Sequence, residues 1–185
     1  MPDDDDVTRE AVHEPEPPAD EVAAALLERF PGSVFADSHG QAVVYVGADD
    51  WHDVAMFLRD DQRFTQCVDL AAVDHLIDED RVVPPGVSAE RYEVVANFLS
   101  HPRNRRIRTI CQLPAAAPAI ATLVDLYPGI AFPERETFDL FGINFAGHED
   151  LARILMPDDW VGHPLRKDDS PSRVPVTFKE DPSPR

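Results

Sequence analysis

The chain has 185 residues, 17 Lys+Arg against 35 Asp+Glu and a formal net charge of -18, room for one folded domain plus tails. A core of about 130 residues buries roughly two-thirds of its unfolded surface, so it needs neither disulfides nor a structural metal. The acidity repels phosphate backbones and anionic headgroups, which argues against direct contact with DNA, RNA or a membrane surface, although it is also what adaptation to salt or solubility produces.

In chain order, residues 1–18 are acidic and Pro-rich, with Asp3, Asp4, Asp5, Asp6, Glu10, Glu14 and Glu16 against Arg9, and are expected to be a disordered tail. No apolar leader and no apolar run long enough to span a bilayer follow, so any membrane contact is expected through partners. Asp20 is a good N-cap for a helix with the stripe Val22, Ala25, Leu26 and Phe30, stopped by Pro31-Gly32. Strands are predicted near 34–37 and 42–46 around the turn Ser38-His39-Gly40. Asp49 or Asp50 caps a second helix whose stripe is Trp51, Val54, Ala55 and Leu58. Phe64–Val73 reads as a buried strand, Asp78–Gly86 as a loop, and Tyr92–Leu99 as a central strand. The turn 100–104 leads into a half-buried strand over 106–113. A third helix is predicted over Pro118–Tyr127, on the stripe Ile120, Leu123, Val124 and Tyr127. A fourth runs from Pro133 to Gly142. The fold class expected is α+β: one small domain over 19–145, a mixed or antiparallel sheet packed by helices, plus an extended C-terminal arm over 146–185.

The arm has no sustained period, yet its first half carries Leu151, Ile154, Leu155, Met156, Trp160 and Leu165. These must pack on something: their own domain or, as extended arms do, a partner. Cys67 and Cys111 lie far apart in apolar stretches with no CxxC, which fits buried reduced thiols and leaves too few ligands for an iron–sulfur cluster. Arg103, Arg105, Arg106 and Arg108 form the only dense basic patch, either an ion-pair face for an acidic neighbour or a solvated strand face.

One run is specific. Phe132-Pro133-Glu134-Arg135-Glu136-Thr137-Phe138-Asp139-Leu140-Phe141-Gly142-Ile143 is followed by Phe145-Ala146-Gly147-His148, then Leu151-Ala152-Arg153-Ile154-Leu155-Met156-Pro157, then Trp160-Val161-Gly162-His163-Pro164-Leu165-Arg166-Lys167-Asp168. In order and spacing this closely resembles the signature of the C-subunit family of respiratory NADH–quinone oxidoreductase, the 30 kDa subunit family of complex I. The resemblance implies a peripheral-arm subunit of that enzyme with no catalytic residue of its own. It would help assemble the electron path from NADH to quinone that is coupled to proton translocation. No cofactor is expected in this chain; FMN and iron–sulfur clusters would sit in partner subunits. The implied partners are a separate D-subunit, which forms the quinone site, and the B-subunit, on the cytoplasmic side of the cell membrane. The acidic tail is not part of the family pattern.

Read as chemistry, Glu134, Arg135, Glu136 and Asp139 crowd one short helix. Arg135 and Asp139 could pair at i, i+4, and the acids could anchor the arm through Arg153, Arg166 or Lys167, or a neighbour's Arg, by charge-assisted bonds. His163-Pro164-Leu165-Arg166-Lys167 reads as a docking strip, with Trp160 and His148 beside it as further arm or partner contacts. Two alternatives remain: the equivalent subunit of a membrane-bound hydrogenase or other-donor quinone dehydrogenase, and a stand-alone metal enzyme using His148, His163 and Asp158 or Asp159. No GxSxG and no Gly-rich phosphate loop occurs.

Overall fold

The computed structural model describes residues 20–78 and 80–169. The acidic tail over 1–18 and the last part of the arm lie outside the described residues. Asp20 starts α1 (Glu21–Arg29): its Oδ1 accepts from the amides of Val22 and Ala23 at 2.9 and 3.1 Å. β1 (Val34–Ser38) and β2 (Gln41–Val46) form a hairpin closed by His39 and Gly40. Both have positive φ, 55° and 78°, the twist that a two-residue hairpin loop requires. In α2 (Trp51–Asp60) the residues picked out by helical spacing, Trp51, Val54, Ala55 and Leu58, are the buried ones. Asp50 sits at its N-cap but makes no side-chain capping bond.

β3 (Gln66–Asp74), β4 (Tyr92–Ser100) and β5 (Arg105–Leu113) complete a five-stranded sheet of order β1-β2-β5-β4-β3. β2 and β5 run parallel and the other neighbours antiparallel, so the sheet is mixed. One face carries the core. Leu26 of α1 and Leu58 of α2 pack with Val44, Val94, Phe98, Ile107 and Leu113 of the strands. Tyr127 joins them, its ring 5.3 Å from that of Phe98 and its hydroxyl donating to the Phe64 carbonyl at 2.9 Å.

Two expected elements differ. The strand predicted as buried is the sheet's edge: β3 exposes most of its residues, with Val68 half exposed and a bulge between Cys67 and Asp69. The helix predicted over 118–127 is instead a short strand, β6 (Ala119–Ala121), followed by one turn in which the Tyr127 amide donates to Leu123 O. β6 pairs in parallel with β7 (Asn144–Ala146), which brings Ile120 opposite Phe145. Between them a 3-10 turn (Pro128–Ile130) leads into α3 (Ala131–Phe141), which starts two residues before the expected Pro133 and ends at Gly142 with φ 71°. β7 ends at Ala146, and among the described residues no strand or helix follows it.

Candidate functional site

The residues of the signature meet where the C-terminal end of α3 faces the arm. Asp139 is the centre. Its side chain is fully buried, and its Oδ1 accepts from Arg153 Nη1 at 2.6 Å. Its Oδ2 accepts from three successive arm amides, Ile154, Leu155 and Met156, at 3.1, 2.8 and 2.9 Å. Burial alone would raise this carboxyl's pKa; the three amides and the guanidinium outweigh it and hold the pKa below its ordinary value. A carboxylate here does for arm backbone what strand pairing does in a sheet: it satisfies consecutive N–H groups that would otherwise be stranded.

The helix end is closed by the arm as well. Arg166 Nε donates to Phe141 O at 2.5 Å and Nη2 to Gly142 O at 3.4 Å, while the Leu165 amide donates to Leu140 O at 3.0 Å. A cation on the last carbonyls also matches the negative end of the helix dipole. The His163 Nδ1–H donates to Asp139 O at 2.9 Å, and its ring meets Phe138 edge-on. A side chain at position 142 would run into both Arg166 and His163, so close approach and positive φ each require glycine there.

A second buried acid holds the arm's far end. Asp74, the last residue of β3, points inward where alternation calls for an apolar side chain, and it is fully buried. Arg91 clasps it with Nε and Nη2 at 3.0 and 2.8 Å, and the amides of Leu76 and Lys167 donate to it at 3.0 and 2.9 Å. Burial opposes ionisation, but Arg91 and the two amides together lower its pKa to about 2. Arg91 also grips Asp168 at 2.6 and 2.9 Å, so one guanidinium bridges a sheet acid and an arm acid. Asp74 and Arg91 were not singled out by sequence. The available signal was an aspartate at an inward strand position.

The remaining signature residues divide. Arg135 does not pair with Asp139. It donates to Ala152 O and Arg153 O at 3.0 and 3.3 Å and meets Asp150 at 3.2 Å. Glu134 turns away from the arm into the core, where it accepts from Thr122 Oγ1 at 2.5 Å and the Leu123 amide at 2.7 Å. Burial raises its pKa, against the pull of those two donors. Glu136 is exposed and takes part in none of these bonds, and the Lys167 side chain is also exposed. His148 Nε2–H donates to Ala131 O at 3.3 Å, and its Nδ1 accepts from the Asp150 amide at 3.1 Å. With both histidines turned to carbonyls, no group of three or more His, Cys, Asp or Glu among the described residues could hold a metal ion. Trp160 is half-buried, and its Nε1 is buried with no acceptor among the described residues.

As far as Asp169 the arm thus lies on its own domain. Leu151 packs on the core, but Leu155, Val161 and Leu165 are 59%, 75% and 44% exposed, as is Phe132 of α3 at 66%. Burial pushes both cysteine thiols up to about 12, which keeps them protonated at neutral pH. Among the described residues no helix is long and apolar enough to cross a membrane.

Residues 44–174 match the family described as "Respiratory-chain NADH dehydrogenase, 30 Kd subunit". The chain is 42% identical over 162 residues to the NADH-quinone oxidoreductase C-subunit of Roseiflexus sp. (strain RS-1), covering 85% of this chain and 86% of that protein. It is 41% identical over 142 residues to the NADH-quinone oxidoreductase C-subunit of Nocardioides sp. (strain ATCC BAA-499 / JS614), covering 76% of this chain and 53% of that longer protein. Among solved structures, a trypsin-resistant fragment of Nqo5 superposes with a TM-score of 0.60 at 29% identity, over 70% of this chain and 99% of the fragment. A polypeptide of an archaeal membrane-bound sulfane sulfur reductase superposes with a TM-score of 0.66 at 22% identity, over 87% of this chain and 95% of that one, a likeness of fold alone.

Proposed function

The chain belongs to the 30 kDa subunit family of respiratory-chain NADH dehydrogenase, and we propose that it serves as a peripheral-arm subunit of an NADH–quinone oxidoreductase, one that holds neighbours in place. The observation that carries this reading is the family match over residues 44–174, which runs from within β2 through the rest of the sheet and into the arm. In the assembled enzyme, FMN and the iron–sulfur clusters belong to other subunits, and electrons pass from NADH to quinone with proton translocation without visiting this chain. The neighbours are a separate D-subunit, which forms the quinone site, and the B-subunit, on the cytoplasmic side of the membrane, which this chain reaches through them.

The 19–145 domain and the 146–185 arm have different duties in this reading. The trypsin resistance of the related Nqo5 fragment, which matches 70% of this chain, supports a domain that stands apart from its arm. The two buried aspartates fix the arm's course, which leaves Leu155, Val161 and Leu165 of the arm, and Phe132 of α3, exposed as apolar contacts for a partner. Asp139, Arg153, Arg135, His163 and Arg166 hold the arm in that course. Glu136, Lys167 and the unpartnered Trp160 Nε1 are the groups left for a neighbour, His148 steadies the arm's start, and Glu134 braces α3 from inside.

The test is affinity purification of the tagged full chain from gently solubilised membranes. A multi-subunit fraction with flavin, iron–sulfur signals and NADH-driven quinone reduction is expected. A fraction that reduces quinone only with another donor would move the chain to a sister assembly. Recovery of the chain alone would end the subunit reading.

A further inference from the structure

The core takes Ile107, Cys111 and Leu113 from β5, so alternation turns Arg106 and Arg108 to the opposite face of the sheet. There they line a hollow of about 300 Å³ with Gln41, Asn97, Val68 and Asp69. Farther along that face residues 82–85 approach the buried Val43 and Ile110, but none of these loop residues lines the hollow. Elsewhere in the fold Arg59, Arg81, Arg91, Arg135 and Arg153 each meet a carboxylate within 3.3 Å. Arg106 and Arg108 meet none among the described residues, in a chain with 35 acids against 17 bases. Asp69 stands at the β3 rim, opposite Asn97, and pairs with neither of them. Arg108 Nε donates to the neutral amide of Asn97 at 3.1 Å, which fixes the plane of its guanidinium and leaves the two terminal nitrogens for another acceptor. Arg106 is exposed. Two like charges on one strand face gain nothing from each other, so packing and stability give no reason for the pair.

We propose that this hollow docks an extended acidic segment of a neighbouring protein, with carboxylates at alternate positions seated on Arg106 and Arg108. Charge selects the class of occupant, because the lining offers guanidinium donors that no acid of the fold takes up. Spacing selects its shape. Side chains i and i+2 of a strand lie roughly 7 Å apart, so two acids separated by one residue on an extended segment match two arginines separated by one residue on β5. Each planar guanidinium can donate two parallel bonds to one carboxylate. Asp69 repels acids from the β3 side and so sets them over β5, while Val68, 50% exposed beside it, gives an apolar residue of the segment a contact. A nucleic acid is a poor occupant, since a net charge of -18 repels a phosphate backbone over any long contact, and a second copy is disfavoured by the same charge. That the neighbour is a subunit of the same enzyme rests on the function proposed above; the chemistry of the occupant does not.

The test has two arms. In the first, the Nε–Hε NMR signals of Arg106 and Arg108 in the full chain are followed while a short synthetic peptide with glutamate at every second position is added, and then its glutamine counterpart. The glutamate peptide is expected to move both signals at low salt and to lose its effect at about 1 M, where the screening length is only about 3 Å. An R106Q/R108Q chain, with Trp51 signals unchanged as evidence of an intact core, should bind it roughly tenfold more weakly. No response to the glutamate peptide, an equal response to the glutamine one, or an equal response to inorganic phosphate would overturn the proposal. In the second arm, the tagged full chain carrying p-benzoylphenylalanine in place of Val68 is irradiated in membranes and the cross-linked peptide sequenced. An acidic segment of another subunit is expected, and its loss in the R106Q/R108Q background. A cross-link to a segment without acids, or to a second copy, would overturn the inference. Should the chain emerge from membranes without partners, the subunit reading fails, while the peptide arm still decides what the hollow binds.

Discussion

From Glu21 to Ala146 the chain is held by side chains that leave water; from Gly147 to Asp169 it is held by backbone amides and guanidiniums that reach two carboxylates. The first region packs Leu26, Leu58, Phe98 and Leu113 at 1% exposure or less. The second leaves Leu155, Val161 and Leu165 open and depends on Asp139 and Asp74. Apolar packing is non-directional and spreads over many contacts, so it tolerates the loss of any one polar group. A carboxylate gathering three amides is directional, and its removal releases them together. Loss of the arm's anchors is therefore expected to leave the sheet folded, whereas loss of a core side chain is expected to weaken both regions.

Phe98→Ala strikes the first region and is expected to have the largest effect, about 3–5 kcal/mol off global stability by cavity formation. Chemical denaturation would show the midpoint falling for core and arm alike. Asp139→Asn strikes the second. Removing one partner of a buried, hydrogen-bonded pair costs about 3 kcal/mol or more, here confined to the arm. Amide exchange at Ile154, Leu155 and Met156 should quicken roughly a hundredfold while that of β4 and β5 is unchanged. Uniform quickening across the sheet would mean that the two regions are one cooperative unit.

Acid sharpens the same contrast with a smaller effect. Asp74 has a folded pKa of about 2, below its ordinary value of 3.8. Between those values the unfolded chain binds a proton that the folded chain does not, so stability falls as pH falls. The contribution is about 2 kcal/mol, fully present above pH 4 and lost toward pH 2. Asp139 is shifted in the same direction. The chain's two tryptophans report separately, Trp51 from the core at 1% exposure and Trp160 from the arm. The indole N–H signal of Trp160 is expected to change before that of Trp51 as pH drops below 4. Simultaneous loss would tie the arm to the core.

The same division governs what could be read from sequence. α1, α2, β2, β4 and β5 announce themselves through apolar residues that the core buries, and β1 through the Ser38-His39-Gly40 turn that joins it to β2. The segment 118–127 misleads for a physical reason. Ile120, Leu123 and Tyr127 are buried at helical spacing, but Ile120 is buried by pairing beside Phe145, and the Leu123 amide is taken by Glu134. A helix would have had to compete with both. β3 misleads because it is the sheet's edge strand, paired on one side only, so that Val68 and Val73 stay exposed although Leu70 is buried. At the candidate site, charge-rich signature residues marked where the anchors would be. Their pairing was not legible: Arg135 chose carbonyls over Asp139, and Asp74 and Arg91, 17 residues apart in sequence, join only because β3 and β4 lie side by side.

Glu134 offers the smallest effect and the sharpest contrast, being a buried acid of opposite character. It stands five residues before Asp139 on α3, on a different face that turns to the core, and burial raises its pKa where Asp139's is lowered. In the window above the ordinary glutamate value the folded chain binds a proton that the unfolded chain has released, so this group makes stability fall as pH rises, the reverse of Asp74. Glu134→Gln keeps an oxygen for the Leu123 amide and an N–H for Thr122 Oγ1 while discarding the charge. At neutral pH it is expected to change stability by less than about 1 kcal/mol in either direction and to erase the decline above the ordinary glutamate value, as denaturation series at several pH values would record. Amide exchange in the arm should not respond. A Glu134→Gln chain that loses arm protection as Asp139→Asn does would mean that the two acids of α3 act as one site, and that the division between core and arm runs through the helix rather than past its end.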